Sequence, residues 1–250
     1  MNRTKKIQGT LLLTVFLFFM SAPGIFAQTT QVQLPGSSIP QFVDPLPTLT
    51  GSTVGGDVME SVLGPSSDPA APTALYMKEF LVNVLPANTP TATPYAGTYV
   101  FGYRTDPATT TADTYIGPVF VAARGTPTAV QYVNNLPDTT ATKVGVWKYS
   151  ADQTLHWADP ANLGMMMGMC SVPPVAGDPP QCFKYAGPIP VVPHLHGGEV
   201  PAAIDGGPDA WFLNQKTGYS THGKGYYTYN YDPEADAQNN FSIYRYPNSQ

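Results

Sequence analysis

The chain has 250 residues, a formal net charge of −5 and only 12% charged residues, against 27 prolines and 23 glycines. An acidic balance without basic runs argues against nucleic-acid binding, which relies on Lys and Arg to neutralise phosphates, and gives no reason for docking on anionic membranes. The composition is that of a loop-rich, exported β protein, poor in amphipathic helices.

Residues 1–27 read as a secretory signal peptide. Arg3, Lys5 and Lys6 precede an apolar stretch over residues 11–20, and Ala27 supplies the small residue of a cleavage point. The stretch is short for a transmembrane helix, and no later segment approaches spanning length. The expectation is an exported protein (periplasmic, cell-surface or extracellular), with no membrane span after cleavage. Residues 28–75 are rich in Pro, Ser, Thr and Gly with little periodicity, and are expected to form an irregular N-terminal arm or linker without strands.

The body follows from residue 76. Residues 75–85 predict a strand ended by Pro86, and residues 95–103 another. Residues 105–114 read as a turn or inserted loop. Strands over 115–122 and 128–134, separated by Arg124-Gly125-Thr126-Pro127, suggest a hairpin. Residues 144–149 predict a further strand, and 163–186 are irregular.

Cys170 and Cys182 are the two cysteines. Export permits a disulfide between them; the alternatives are buried free thiols, or weak metal ligands beside Met165, Met166, Met167 and Met169. That methionine cluster suits Cu(I), but methionine more often fills gaps in a core. Two cysteines exclude zinc fingers and iron–sulfur clusters built from this chain alone. Residues 189–196, 225–231 and 240–246 predict the last strands, with Tyr227, Tyr229 and Tyr231 sharing one face for packing, or for carbohydrate or a partner. Many short strands with Gly/Pro turns predict an all-β fold, an antiparallel sandwich.

The densest chemistry is His194-Leu195-His196-Gly197-Gly198, followed by Asp205-Gly206, because it holds two of the four histidines. Side chains at i and i+2 of a strand share a face, so both imidazoles can reach one metal or two neighbouring ones. The two glycines let the backbone turn tightly, and Asp205 supplies a nearby carboxylate. The plainer alternative is an exposed pair, or core imidazoles bonded to backbone. The spacing alone does not choose the metal, and His156 and His222 stand alone.

Pro193-His194-Leu195-His196-Gly197-Gly198, with Asp205-Gly206 and Asp209-Ala210-Trp211-Phe212, resembles the first copper motif of laccase-like multicopper oxidases, particularly the bacterial spore-coat and bilirubin-oxidase branch. Tyr115-Ile116-Gly117-Pro118-Val119-Phe120, Ala123-Arg124-Gly125-Thr126 and Val130-Gln131-Tyr132-Val133-Asn134-Asn135-Leu136-Pro137 resemble, in order, strands of that family's first domain. The likeness covers residues 76–250. It implies a first cupredoxin-like (plastocyanin-like) domain, a Greek-key β-sandwich. It also implies copper at type 2 and type 3 sites, with His194 matching a type 2 ligand and His196 a type 3 ligand. Asp205 matches the catalytic carboxylate that assists protonation where dioxygen is reduced. The partners implied are dioxygen and a small reducing substrate or metal ion.

The chain departs from that pattern in its missing ligands. The family places a second His-x-His pair after a Tyr-Pro-Asn segment, here Tyr246-Pro247-Asn248, and takes its Cys-His-Met type 1 site from a C-terminal domain. The expectation is an N-terminal portion of an oxidase, its domain incomplete at the C-terminus, inactive alone and completed by a C-terminal half. The alternatives are a non-catalytic secreted copper-binding or partner-binding cupredoxin module and, as a minor one, a cupin-type single-metal enzyme, whose further ligands Glu199 and His222 match poorly.

Overall fold

Seven strands run through the described residues: β1 (Ser61–Leu63), β2 (Thr73–Val82), β3 (Thr98–Arg104), β4 (Thr111–Ala112), β5 (Val119–Val121), β6 (Thr128–Asn134) and β7 (Phe241–Tyr246). They come from a computed structural model describing residues 33–45, 59–91, 94–112, 114–144, 158, 160, 185, 187–234, 236 and 239–250. Two 3-10 turns, Gly36–Ser38 and Ala202–Ile204, complete the regular elements. The expected signal peptide, His156, the methionine cluster, both cysteines and most of the strand expected at 144–149 lie outside the described residues.

The fold is all-β. In the main sheet β2 lies between β3, antiparallel to it, and β6, parallel to it; β7 pairs antiparallel with β6 from Thr128↔Tyr246 to Val133↔Phe241. β4 pairs in parallel with the far end of β2, and β1 and β5 form a separate parallel pair. Pairing is therefore mixed where pure antiparallel pairing was expected. The connection from Val82 to Thr128 is long enough for the crossover that a parallel neighbour requires. The expected hairpin does not form: β5 joins β1 and β6 joins β2 and β7. The 28–75 segment, expected to be free of strands, contributes β1 and the start of β2.

β2 faces two ways. Its first half buries Leu75 and Met77 against Val130, Tyr132, Tyr244 and Tyr246. Its second half buries Lys78, Phe80 and Val82, which project from the opposite face of the pleat. Lys78 Nζ donates to the Pro107 carbonyl, and burial lowers its pKa against the opposing pull of Asp106. The Arg104 guanidinium lies 4.3 Å from the Phe80 ring centroid and donates to the carbonyls of Tyr103 (3.0 Å), Ile116 (2.8 Å) and Thr114. Those bonds tie the 114–116 loop to the sheet, with cation–π attraction to the ring beneath.

The face carrying Leu75, Val130, Tyr132, Tyr244 and Tyr246 is covered by residues 189–226, whose Ile204, Phe212 and Tyr226 complete the core. This layer is irregular. Isolated bridges join Val191 to Phe212 and Phe212 to His222, and Gly223 and Gly225 N–H groups donate to the carbonyls of Trp211 and Asp209. Residues Ala210, Trp211, Phe212 and Leu213 are all buried, so this run of the copper-like motif serves as core.

Asn134, fully buried at the end of β6, fastens the layer to the sheet. Its side-chain amide donates to the carbonyls of Ile189 (2.9 Å) and Phe212 (3.2 Å) and accepts from the Leu136 N–H (3.1 Å). The outer edge of β7 is closed rather than exposed: Tyr229 N–H donates to Ile243 O, Ile243 N–H to Thr228 Oγ1, and Ser242 Oγ to Tyr227 O. Such cover removes a template for strand addition.

Candidate metal centre

The segment leading to the histidines is rigid before it reaches them. Val191 exchanges both backbone hydrogen bonds with Phe212, at 3.1 and 3.0 Å, and Pro193 is buried. Beyond Pro193 the chain emerges, and His194, Leu195 and His196 are exposed. The strand expected over residues 189–196 shrinks to the single bridge at Val191, because Pro190 and Pro193 have no N–H to give to a ladder. Leu195 to Gly198 then close a turn, the Gly198 N–H donating to Leu195 O at 3.2 Å, with Gly197 at φ +79° where a side chain is strained.

Asp205 reaches His194 through its main chain. Pro201 opens the short 3-10 turn, Ile204 is buried in the core, and Gly206 at φ +82° presses against Pro193 so closely that a Cβ there would collide with the Pro193 carbonyl oxygen. That approach places the Asp205 carbonyl oxygen 2.6 Å from His194 Nδ1, with the Asp205 carboxylate 3.4 Å from the same nitrogen. A carbonyl only accepts, so Nδ1 carries a proton, and in the neutral ring the lone pair is then on Nε2, the tautomer typical of ligating histidines. The His196 ring lies 6.0 Å from that of His194, centroid to centroid, at 87°.

The structure thus sets Asp205 against His194, with the His196 ring beside that of His194. Two imidazoles supply two donors, where a four-coordinate metal site needs four. Among the described residues, no group of three or more His, Cys, Asp or Glu side chains could hold a metal ion. His222 serves packing instead, stacked on Tyr226 at 4.4 Å and 20° with Nδ1 3.0 Å from Gly223 O. Glu199 offers its N–H to the Gln250 side-chain oxygen at 3.2 Å. The strand expected at 225–231 does not form: the segment is irregular between a turn ending at Gly225 and another at Tyr229 and Asn230, where Asn230 has φ +56°.

Sequence reasoning passed over two features. One is Asn134, whose polar side chain at the end of an apolar strand is the signal. The other is a buried pair of phenols: Tyr132 and Tyr246 hydroxyls are 2.9 Å apart on neighbouring strands. Burial pushes the Tyr132 hydroxyl up to about 12 and raises that of Tyr246 as well, the neighbouring Tyr132 adding to the effect. Both stay neutral at physiological pH.

No helix among the described residues is long and apolar enough to cross a membrane. The chain matches no protein-family model and no curated protein.

Proposed function

We propose that the chain is the N-terminal portion of an exported multicopper oxidase, coupling one-electron oxidation of phenolic or metal-ion substrates to reduction of dioxygen to water. In this reading the strands belong to a cupredoxin-like Greek-key sandwich, and His194 and His196 contribute part of a trinuclear copper site. The observation that carries it is the His194 Nδ1 to Asp205 carbonyl contact, which commits Nδ1 as a donor and leaves Nε2 as the metal-binding nitrogen of the neutral ring, beside a second imidazole. The copper ions, when bound, supply the redox chemistry. This chain's residues bind and orient: Asp205 O sets the tautomer of His194, and the Asp205 carboxylate stands where it can hold a proton close to the ring. The ligands still lacking come from another segment or chain.

A second reading, a non-catalytic secreted copper-binding cupredoxin module, is favoured by the two-histidine shell. Copper titration of residues 28–250 followed by electron paramagnetic resonance tests what both share. Weak Cu(II) binding with nitrogen ligation is expected, lost in the His194→Ala/His196→Ala double variant, with no blue band and no dioxygen uptake. Retention of the copper signal in the double variant sinks both readings. The two separate on whether the gene's contiguous or adjacent frame encodes further His-x-His and His-Cys-His motifs, which only the oxidase requires.

A further inference from the structure

A cavity of about 390 Å³ lies beside the histidine loop, lined by Leu75, Phe120, Val130, Tyr132, Leu195 and Tyr246 among others. Its volume falls in the range of small-molecule sites, which are mostly apolar with a few convergent polar groups. No charged side chain lines it, so an ion entering would lose its hydration without a partner. Three aromatic rings, those of Phe120, Tyr132 and Tyr246, contribute to its walls, and flat ring faces and edges favour another ring.

The polar element is the phenol pair. Each tyrosine hydroxyl carries one proton, and a pair 2.9 Å apart places one proton between its oxygens. The second hydroxyl hydrogen has no protein acceptor among the described residues. That hydrogen is available to an acceptor brought into the cavity by a ligand, in place of water. Thr128 and Asn248, also in the lining, bond to each other at 2.8 Å.

We propose that this cavity binds a small uncharged aromatic molecule bearing a hydrogen-bond acceptor, an aryl ketone or aldehyde in chemical class, with the Tyr132–Tyr246 pair donating to its carbonyl oxygen. The site requires no metal and stands apart from the copper reading, so it is tested in the presence of EDTA.

Acetophenone is the probe, and α-methylstyrene, of nearly the same shape but with no carbonyl, is its control. Calorimetry on the full chain is expected to give acetophenone a dissociation constant of about 1 mM or tighter. In saturation-transfer NMR at equal concentration, α-methylstyrene binds about fivefold more weakly. Ala122→Trp, at an exposed lining position, abolishes both signals. The double variant Tyr132→Phe/Tyr246→Phe equalises the two probes, whereas either single variant keeps the preference, because one hydroxyl then remains with its proton free. No acetophenone binding by cooperatively melting protein, equal affinity for the two probes, or indifference to Ala122→Trp each overturns the proposal. Should the double variant fail to fold, the probe pair and Ala122→Trp still decide.

Discussion

His194 is held by the backbone of Asp205, not by its carboxylate: Nδ1 is 2.6 Å from the carbonyl oxygen and 3.4 Å from the nearer carboxylate oxygen. The division of labour predicts that Asp205→Asn keeps Cu(II) affinity within about fivefold of the parent, since the main-chain acceptor survives and a charge-assisted contact at partly exposed positions contributes about 1 kcal/mol or less. On the oxidase reading proposed above, the same change is expected to slow dioxygen reduction by removing a proton-holding group. Titration calorimetry of the parent and Asp205→Asn chains checks the first part, and a loss beyond tenfold would make the carboxylate a ligand.

Gly206→Ala is expected to act where Asp205→Asn does not. Its φ of +82° disfavours a side chain, and the new Cβ meets the Pro193 carbonyl, so the 201–207 loop must shift away from His194. Positive φ at a non-glycine residue plus a backbone collision costs about 1–3 kcal/mol. Urea unfolding measures that loss, and copper affinity drops with it because His194 loses the group that sets its tautomer. Unchanged copper affinity in a destabilised Gly206→Ala chain would mean the carbonyl contact does not orient the ring.

Asn134→Leu tests the attachment of the site-bearing layer. It leaves the carbonyls of Ile189 and Phe212 and the N–H of Leu136 without their side-chain partner in a buried setting. The Phe212 carbonyl keeps the Val191 N–H, so the Ile189 carbonyl and the Leu136 N–H are the groups left unpaired, and at about 1–3 kcal/mol each with partial relaxation a loss of about 2–4 kcal/mol follows. Amide hydrogen exchange at Val191 and Phe212 rises along with it. If only global stability falls and those two amides keep their relative protection, Asn134 is not what holds the layer down.

Stability is expected to decline at alkaline pH through the phenol pair. Tyr132 titrates near 10 when unfolded and is pushed up to about 12 by burial in the fold, so the unfolded state loses its proton first. The folded state then binds more protons, and stability is full below about pH 10 and falls between about pH 10 and 12, by at most about 3 kcal/mol for this group. Tyr132→Phe makes that decline shallower while lowering the plateau; it does not abolish it, because burial raises Tyr103, Tyr226, Tyr244 and Tyr246 as well. Urea midpoints at about pH 8, 10, 11 and 12, which bracket the ordinary and the raised phenol values, give both slopes. Parallel slopes for the two proteins would refute the assignment to Tyr132.

The strands that can be read from the sequence are those whose signal is local. The Val and Tyr alternation at 128–134 and the aromatic run at 240–246 correspond to β6 and β7 almost residue for residue. Pairing partners are not local: nothing in Thr128–Asn134 says that β2 lies on one side and β7 on the other. Residues 189–196 carry the spacing of Ile189 and Val191 that favours a strand, yet the prolines at 190 and 193 forbid its ladder, and that local signal outweighs the spacing. At 225–231 alternating tyrosines mislead because Asn230 turns the chain. The His-x-His pair is legible as chemistry. Its orientation is not, since it depends on a main-chain carbonyl, a group every residue has; the one clue is a glycine directly after Asp205.

Tyr132 and Tyr246 are 114 residues apart in the chain yet share a hydrogen bond across adjacent strands. A ribosome adding about 5–20 residues per second takes about 6–23 s to cover that distance. Throughout that interval β6 lacks β7, the neighbour that closes its sheet, and its core face receives Phe212 and then Tyr226 only in the last third of it. Loop closure over so long a span makes the final pairing slow as well as late. The nascent chain therefore presents an apolar, unpaired strand for seconds, and its yield in cells is governed by whatever shields β6 until Phe241–Tyr246 arrives.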